Sequence, residues 1–189
     1  MRPHAPEPQQ QSFDDEATRR TDALLRQLPE RDWTVLDDWD PRHGIDHVLV
    51  GPSGVFVIAS RKPEGAGARV RDGVLWLRRG ADARTDKPGV DINRQALDAA
   101  RVLHREIRTR TGRGPAVSPV VVLWCEFPQR VAESSQLSFV QGRELRSWLS
   151  GRPRQLDDAG RGEIVQAIRA IPHHSHRRLP HIGTRRHVA

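Results

Sequence analysis

Hydrophobic positions are densest between residues 45 and 59, where Ile45, Val48, Leu49 and Val50 lead into Gly51-Pro52-Ser53-Gly54 and Val55, Phe56, Val57, Ile58 and Ala59 lead out. Two runs of branched and aromatic residues around a Gly/Pro turn predict a β-hairpin. With Pro52 and Ser53 as a two-residue turn, position 46 faces position 59, and such cross-strand neighbours have Cβ atoms about 5 Å apart. Upstream, Asp14 or Asp15 opens a helix that reaches Leu28, turns Leu24, Leu25 and Leu28 inward and stops at Pro29. A strand over 33–36 and an Asp-rich turn over 37–40 follow. Downstream, short strands over 69–71 and 74–78 flank Asp72-Gly73, a hairpin dipeptide. A polar loop covers 80–89. Ala96, Ala99, Ala100, Leu103 and Ile107 recur at helical spacing, so the longest helix is expected over 91–111, with Arg94, Arg101, Arg105 and Arg108 mostly on its solvated face.

The apolar run over 117–124 has the length of a strand buried on both faces. A short strand over 137–140 is followed by a helix over 144–150 with Leu145, Trp148 and Leu149 inward. Asp157 or Asp158 opens a last amphipathic helix through Ile164, Val165 and Ile168, ending near Pro172. No internal repeat is visible. Strands alternating with helices imply a mixed sheet with helices on its faces. The expected organisation is a segment without structure over 1–12, one domain over 13–172, and a basic tail without structure over 173–189.

Composition narrows the function class. The 189 residues carry a formal charge of +7, which draws a protein to polyanions: DNA, RNA or an anionic membrane surface. Lys62 and Lys87 are the only lysines among 31 basic residues, so the charge is almost all guanidinium. Cys125 is the single cysteine, which excludes an internal disulfide, and its neighbours Val121, Val122, Leu123 and Trp124 predict a buried, inert thiol. Neither a signal-peptide core nor a run of about 20 apolar residues occurs, so the expectation is a cytoplasmic protein without a membrane partner. The tail gathers His173, His174, His176, His181 and His187 with Arg177, Arg178, Arg185 and Arg186. It suits electrostatic contact with nucleic acid, pH-sensitive near neutrality, and adventitious Zn²⁺ or Ni²⁺ capture rather than a structural zinc site.

Asp46 in Ile-Asp-His-Val-Leu-Val-Gly-Pro, Arg61 at the end of the hairpin and Gln95 in Asn-Arg-Gln bring a family into view. From about residue 13 to residue 149 the chain resembles the NERD, or nuclease-related, domain of the PD-(D/E)xK group. The resemblance implies an α/β (α+β) fold of the restriction-endonuclease-like type, a mixed central β-sheet flanked by helices. It also implies metal-assisted phosphodiester hydrolysis, with Asp46 as the first-strand acid and Gln95 as the helix glutamine. In the family the second strand ends in Glu-x-Lys; here those positions are Ala59, Ser60 and Arg61. The family's Gly-Glu pair on the first helix falls at Ala17-Thr18.

Those departures bear on chemistry. Mg²⁺ takes oxygen ligands, usually one or two carboxylates plus water and substrate phosphate, and Ala59 supplies none. Arg61 keeps a positive charge and can grip a phosphate with two N–H groups, but a guanidinium with a pKa above ~12 is no general base. A bulge that brings Ser60, Arg61 and Lys62 into the Glu-x-Lys register is the competing alignment, and it still lacks the acid. Glu64, Asp91 and Asp98 are the candidate replacement ligands. The expectation is therefore a nuclease-related pseudoenzyme. Its remnant catalytic residues are Asp46, Arg61 and Gln95, its metal ligand is at most Asp46, and its nucleic-acid contacts are Arg61, Lys62, Arg177 and Arg178. It works as a DNA-binding or interaction module without a cofactor. The alternatives are an active endonuclease that uses Mg²⁺ with a relocated carboxylate, and a scaffold that binds no nucleic acid.

Overall fold

β2 (Ile45–Gly51) and β3 (Gly54–Arg61) form the expected hairpin in a computed structural model that describes residues 8–40, 45–63, 67–78 and 86–171. Gly51 pairs with Gly54 across Pro52-Ser53, and the register runs unbroken to His47 opposite Ile58. Continued by one residue, this register sets Asp46 opposite Ala59, and it contains no bulge between His47 and Ile58. The turn itself is anchored. Gln155 and Leu156 donate their backbone N–H groups to the Pro52 carbonyl at 2.7 and 3.0 Å. Gly51 lies against the Trp33 indole, where a Cβ would come within 2.1 Å of a ring carbon.

β1 (Thr34–Asp40) pairs antiparallel with β2, whereas β7 (Val117–Leu123) runs parallel to β3. β9 (Ser138–Gln141) continues the sheet parallel to β7, and β8 (Val131–Glu133) closes it antiparallel, giving the order β1-β2-β3-β7-β9-β8. β3 and β7 are buried along most of their length, as all-apolar central strands require. A second sheet contains β4 (Gly67–Arg71), β5 (Val74–Arg78) and β6 (Lys87–Pro88), with positive φ at Asp72 and Gly73 making the expected tight turn. This mixed α+β arrangement is the restriction-endonuclease-like fold.

Alternation along the strands sorts the core into two faces. Val48, Val50, Val55, Val57 and Ala59 pack with Ala99, Ala100, Leu103 and Ile107 of α2 (Val90–Thr111) and with Ile164 and Ile168 of α4 (Asp158–Arg169). Leu49, Phe56 and Ile58 turn the other way. They meet Leu25 of α1 (Pro8–Leu25), Leu28 just beyond it, and Leu145 and Leu149 of α3 (Leu145–Ser150). Asp157 caps α4 by accepting the Gly160 N–H at 2.8 Å, and Gly112 in the left-handed conformation ends α2.

Four expectations change. α1 begins at Pro8, ahead of the Asp14 or Asp15 start, and ends at Leu25 with turns carrying the chain to Leu28. The acidic stretch 37–40 is not a turn but the end of β1, with Asp37 opposite His47. It lies on an edge strand, where the half-exposed Asp37 stays in reach of water. The short β6 lies inside the expected loop, and β8 carries too few apolar residues to stand out. Glu64, Arg177, Arg178 and the histidine-rich tail lie outside the described residues. Among the described residues no helix is long and apolar enough to cross a membrane.

Gly51→Ala should overpack the hairpin against Trp33 and destabilise the protein by about 1–3 kcal/mol. A urea midpoint lowered at unchanged slope is the expected result.

Candidate functional site

The β2–β3 ladder ends at His47 and Ile58, so the backbone N–H groups of Ser60 and Lys62, on one edge of β3, need other acceptors. Two carboxylates supply them. Asp46 Oδ2 accepts from Ser60 N at 2.5 Å, and Asp14 Oδ1, brought in by α1, accepts from Lys62 N at 3.2 Å. Arg61 donates to the Ser60 carbonyl at 2.7 Å and holds its guanidinium 4.0 Å from Asp46 Oδ2, both side chains more than four-fifths buried. Beside them Ala59 is 2% exposed and packed in the α2 core. The structure thus gathers Asp46, Ala59 and Arg61 as the hairpin register requires.

Ser60 and Lys62 belong to the opposite face. Lys62 Nζ reaches Glu16 Oε2 at 2.5 Å and lies 5.5 Å from the centroid of the Phe13 ring. That hydrogen bond is the main cause holding the Glu16 carboxyl below its ordinary range, with Arg20 adding to it. Ser60 Oγ donates to Thr21 Oγ1 at 2.8 Å, Trp124 Nε1 donates to the same oxygen at 2.9 Å, and Thr21 donates onward to the Ala17 carbonyl at 3.1 Å. The fully buried Thr21 hydroxyl therefore uses its one proton and both lone pairs. It joins α1 to the ends of β3 and β7.

The other candidates lie elsewhere. Gln95 is half-buried on α2, one residue before the core residue Ala96, and its side chain makes no hydrogen bond among the described residues. Asp91 and Asp98 are on the outer side of α2, paired with Arg94 at 2.6 Å and Arg101 at 3.2 Å. A separate group stands on the α1 face: Asp22, Asp37 and His47 offer ligand atoms within 4.8 Å of one another. His47 Nδ1 is 2.7 Å from Asp37 Oδ1, and Arg26 holds Asp22 through two contacts of 3.0 Å. Cys125 is half-buried rather than buried as expected; partial burial pushes its thiol up to about 11, with Glu126 adding to the shift and Arg78 opposing it.

Sequence reasoning missed Asp14, Glu16 and Thr21. An acid pair two positions apart just before the first helix's apolar face was the available signal, but nothing local says that those acids meet residue 62.

The nuclease-related domain family matches residues 14–124, well over half of the chain. The chain belongs to that family. No curated protein and no solved structure matches it. The matched span of this nuclease-related domain begins at the α1 acid that holds Lys62 and ends at Trp124, whose backbone N–H donates to the Arg61 carbonyl at 2.9 Å. A domain of this family can use Mg²⁺ when it is active.

Two measurements test the assembly. Thr21→Val should leave the Ser60 hydroxyl and the Trp124 indole N–H without their buried acceptor, costing about 1–3 kcal/mol in chemical denaturation. Because Glu16 titrates below its unfolded value, its contribution is present above the ordinary glutamate range, about pH 4.3, and is lost as pH falls through the lowered folded value. Glu16→Gln should therefore flatten the acid-side fall of Tm while leaving its neutral-pH shape unchanged.

Proposed function

We propose that this nuclease-related domain does not hydrolyse phosphodiesters and serves as a nucleic-acid-binding module. The observation that carries the reading is the occupant of the space around Asp46. Where the family has a second carboxylate there is a buried methyl group, Ala59, and where a metal's positive charge would balance Asp46 there is the Arg61 guanidinium. Unit charges 4 Å apart near a protein surface interact by roughly 4 kcal/mol, and a divalent ion on Asp46 would meet repulsion from Arg61 on that scale for each of its charges. The residues do not fit Mg²⁺ at the family's positions. Arg61 cannot take a proton from water, so neither ligand nor base is in hand.

The binding half of the reading rests on the charge of +7 and on its chemistry, which is nearly all arginine and suited to two-pronged phosphate contact. Arg61 is itself largely enclosed and spent on Ser60 and Asp46, and Lys62 is spent on Glu16, so they set the charge of the strand end more than they reach outward.

One observation favours the active alternative: Asp14 is a relocated carboxylate on the same strand edge as Asp46. The amides that hold the two acids are about 6–7 Å apart by strand rise. Two oxygens bound to one Mg²⁺ lie within about 4 Å of each other. Carboxylates held by amides that far apart would have to lean towards each other to share an ion.

Full-length protein with Mg²⁺ or Mn²⁺ should leave single- and double-stranded DNA uncut, and should bind DNA with a non-specific Kd of about 10⁻⁴–10⁻⁶ M that weakens steeply with salt. Cleavage abolished by both Asp46→Ala and Asp14→Ala would establish the active alternative. Absence of binding at low salt would leave the scaffold reading.

A further inference from the structure

β3, β7 and β9 run parallel and end at Arg61, Leu123 and Gln141, so their C-terminal ends open on one side of the sheet. In open α/β sheets ligands collect outside such ends. A cavity of about 250 Å³ lies there, lined by Arg20, Trp124, Cys125, Glu126, Gln141 and Arg143 among others. A second cavity of about 160 Å³, lined by Arg69, Arg78, Asp86 and Glu126, adjoins it and shares Glu126. Each is smaller than the roughly 300–1,000 Å³ of a small-molecule site. Together they place four arginines along one recess.

We infer that this recess, between the C-terminal ends of β7 and β9 and the small sheet, holds the phosphodiester backbone of a single-stranded nucleic acid, with Arg20, Arg143 and Arg78 gripping phosphates. The inference rests on the nucleic-acid-binding reading above and names its surface and substrate class. Arg143 is exposed and engages no acid among the described residues. The other three carry acid partners: Arg20 with Glu16, Arg78 with Glu126 at 2.7 Å, and Arg69 with Asp86. The Arg20 and Arg78 side chains are 49% and 36% exposed, and ion pairs so exposed are worth about 0–1 kcal/mol. Exchange of a carboxylate for a phosphate at these two is therefore cheap. Asp86 is only 10% exposed, so Arg69 stays with it as part of the wall of the recess.

Trp124 supports the recess rather than stacking on a base. Its ring has the Arg20 guanidinium 5.5 Å from its centroid and the Gly142 backbone close enough that a Cβ there would fall 2.5 Å from the ring. It holds Arg20 at the lip. Guanidinium groups spaced along a concave surface follow one flexible backbone, as positively charged single-strand grooves do, whereas a duplex presents a stiff convex surface to it.

Fluorescence anisotropy of the full chain over a salt series tests this, with a labelled oligo(dT), an oligo(U) and a duplex of equal length as probes. Single strands of either sugar should bind more tightly than the duplex. Arg20→Ala with Arg143→Ala should weaken single-strand binding at least about tenfold and lower the salt slope by about 1.4, two contacts at ~0.7 each. Arg105→Ala with Arg108→Ala, on the exposed side of α2, should change neither. Arg143→Glu, one exposed residue, should weaken binding at least as much and keeps the test open if the Arg20 change unfolds the protein. Tighter duplex binding, an unaffected Arg143→Glu variant or equal losses in the two double variants would overturn the inference while leaving nucleic-acid binding standing. No binding of any probe by the unaltered protein would overturn the binding reading itself.

Discussion

The register of the β2–β3 hairpin is the constraint on which the rest depends. Gly51 and Gly54 close a two-residue turn whose carbonyl is held by the chain leaving α3, and Gly51 has no room for a side chain against Trp33. A slip of one residue would exchange the faces of both strands. Val48, Val50, Val55 and Val57 would leave the α2 core, and Phe56 would leave its contacts with Trp33 and Trp148. The same register decides the chemistry, because it puts Ala59 beside Asp46 and Arg61 diagonally across from it.

Around that hairpin, α1 works as a bracket at the C-terminal end of β3. Hydrophobic contacts through Leu25 dock it, but its polar side chains do the positioning. Asp14 and Glu16 take the backbone and side chain of Lys62, and Thr21 joins Ser60 to Trp124. A buried hydroxyl with all its bonding capacity used fixes the angle of a helix more sharply than apolar packing alone, because each lost bond leaves a desolvated group without a partner. The resulting strand end is rich in charge yet internally compensated. Arg61 faces Asp46, and Lys62 faces Glu16.

One step further along the sheet, at the ends of β7 and β9, lie arginines more open to solvent. Arginines there rest on Trp124 or on exposed acids, in pairs that water screens. Enclosed pairs hold the fold together, while exposed ones leave their cations available. This division separates the strand end around Asp46 and Arg61 from the neighbouring recess and its exposed guanidinium groups.

Local pattern was enough to specify the hairpin, the long α2, the doubly buried β7 and the capped α4, since each is written as a period of apolar residues bounded by a turn or a cap. It was also enough to show the departure from the family pattern: a two-residue turn makes positions 46 and 59 neighbours by arithmetic, and the Ala59 side chain has no oxygen in any fold. Tertiary structure alone decided what the polar residues do. Asp37 reads as a turn residue until His47 lies opposite it across β1 and β2. Glu16 and Lys62 are 46 positions apart, and Thr21 and Trp124 are 103 apart. Hydrophobic burial is recorded in spacing along the chain, because a face must be apolar whatever covers it. A hydrogen bond between distant residues leaves no such period, so the acids of α1, the short β8 and the arginine-lined recess became visible only when the sheet brought their elements together.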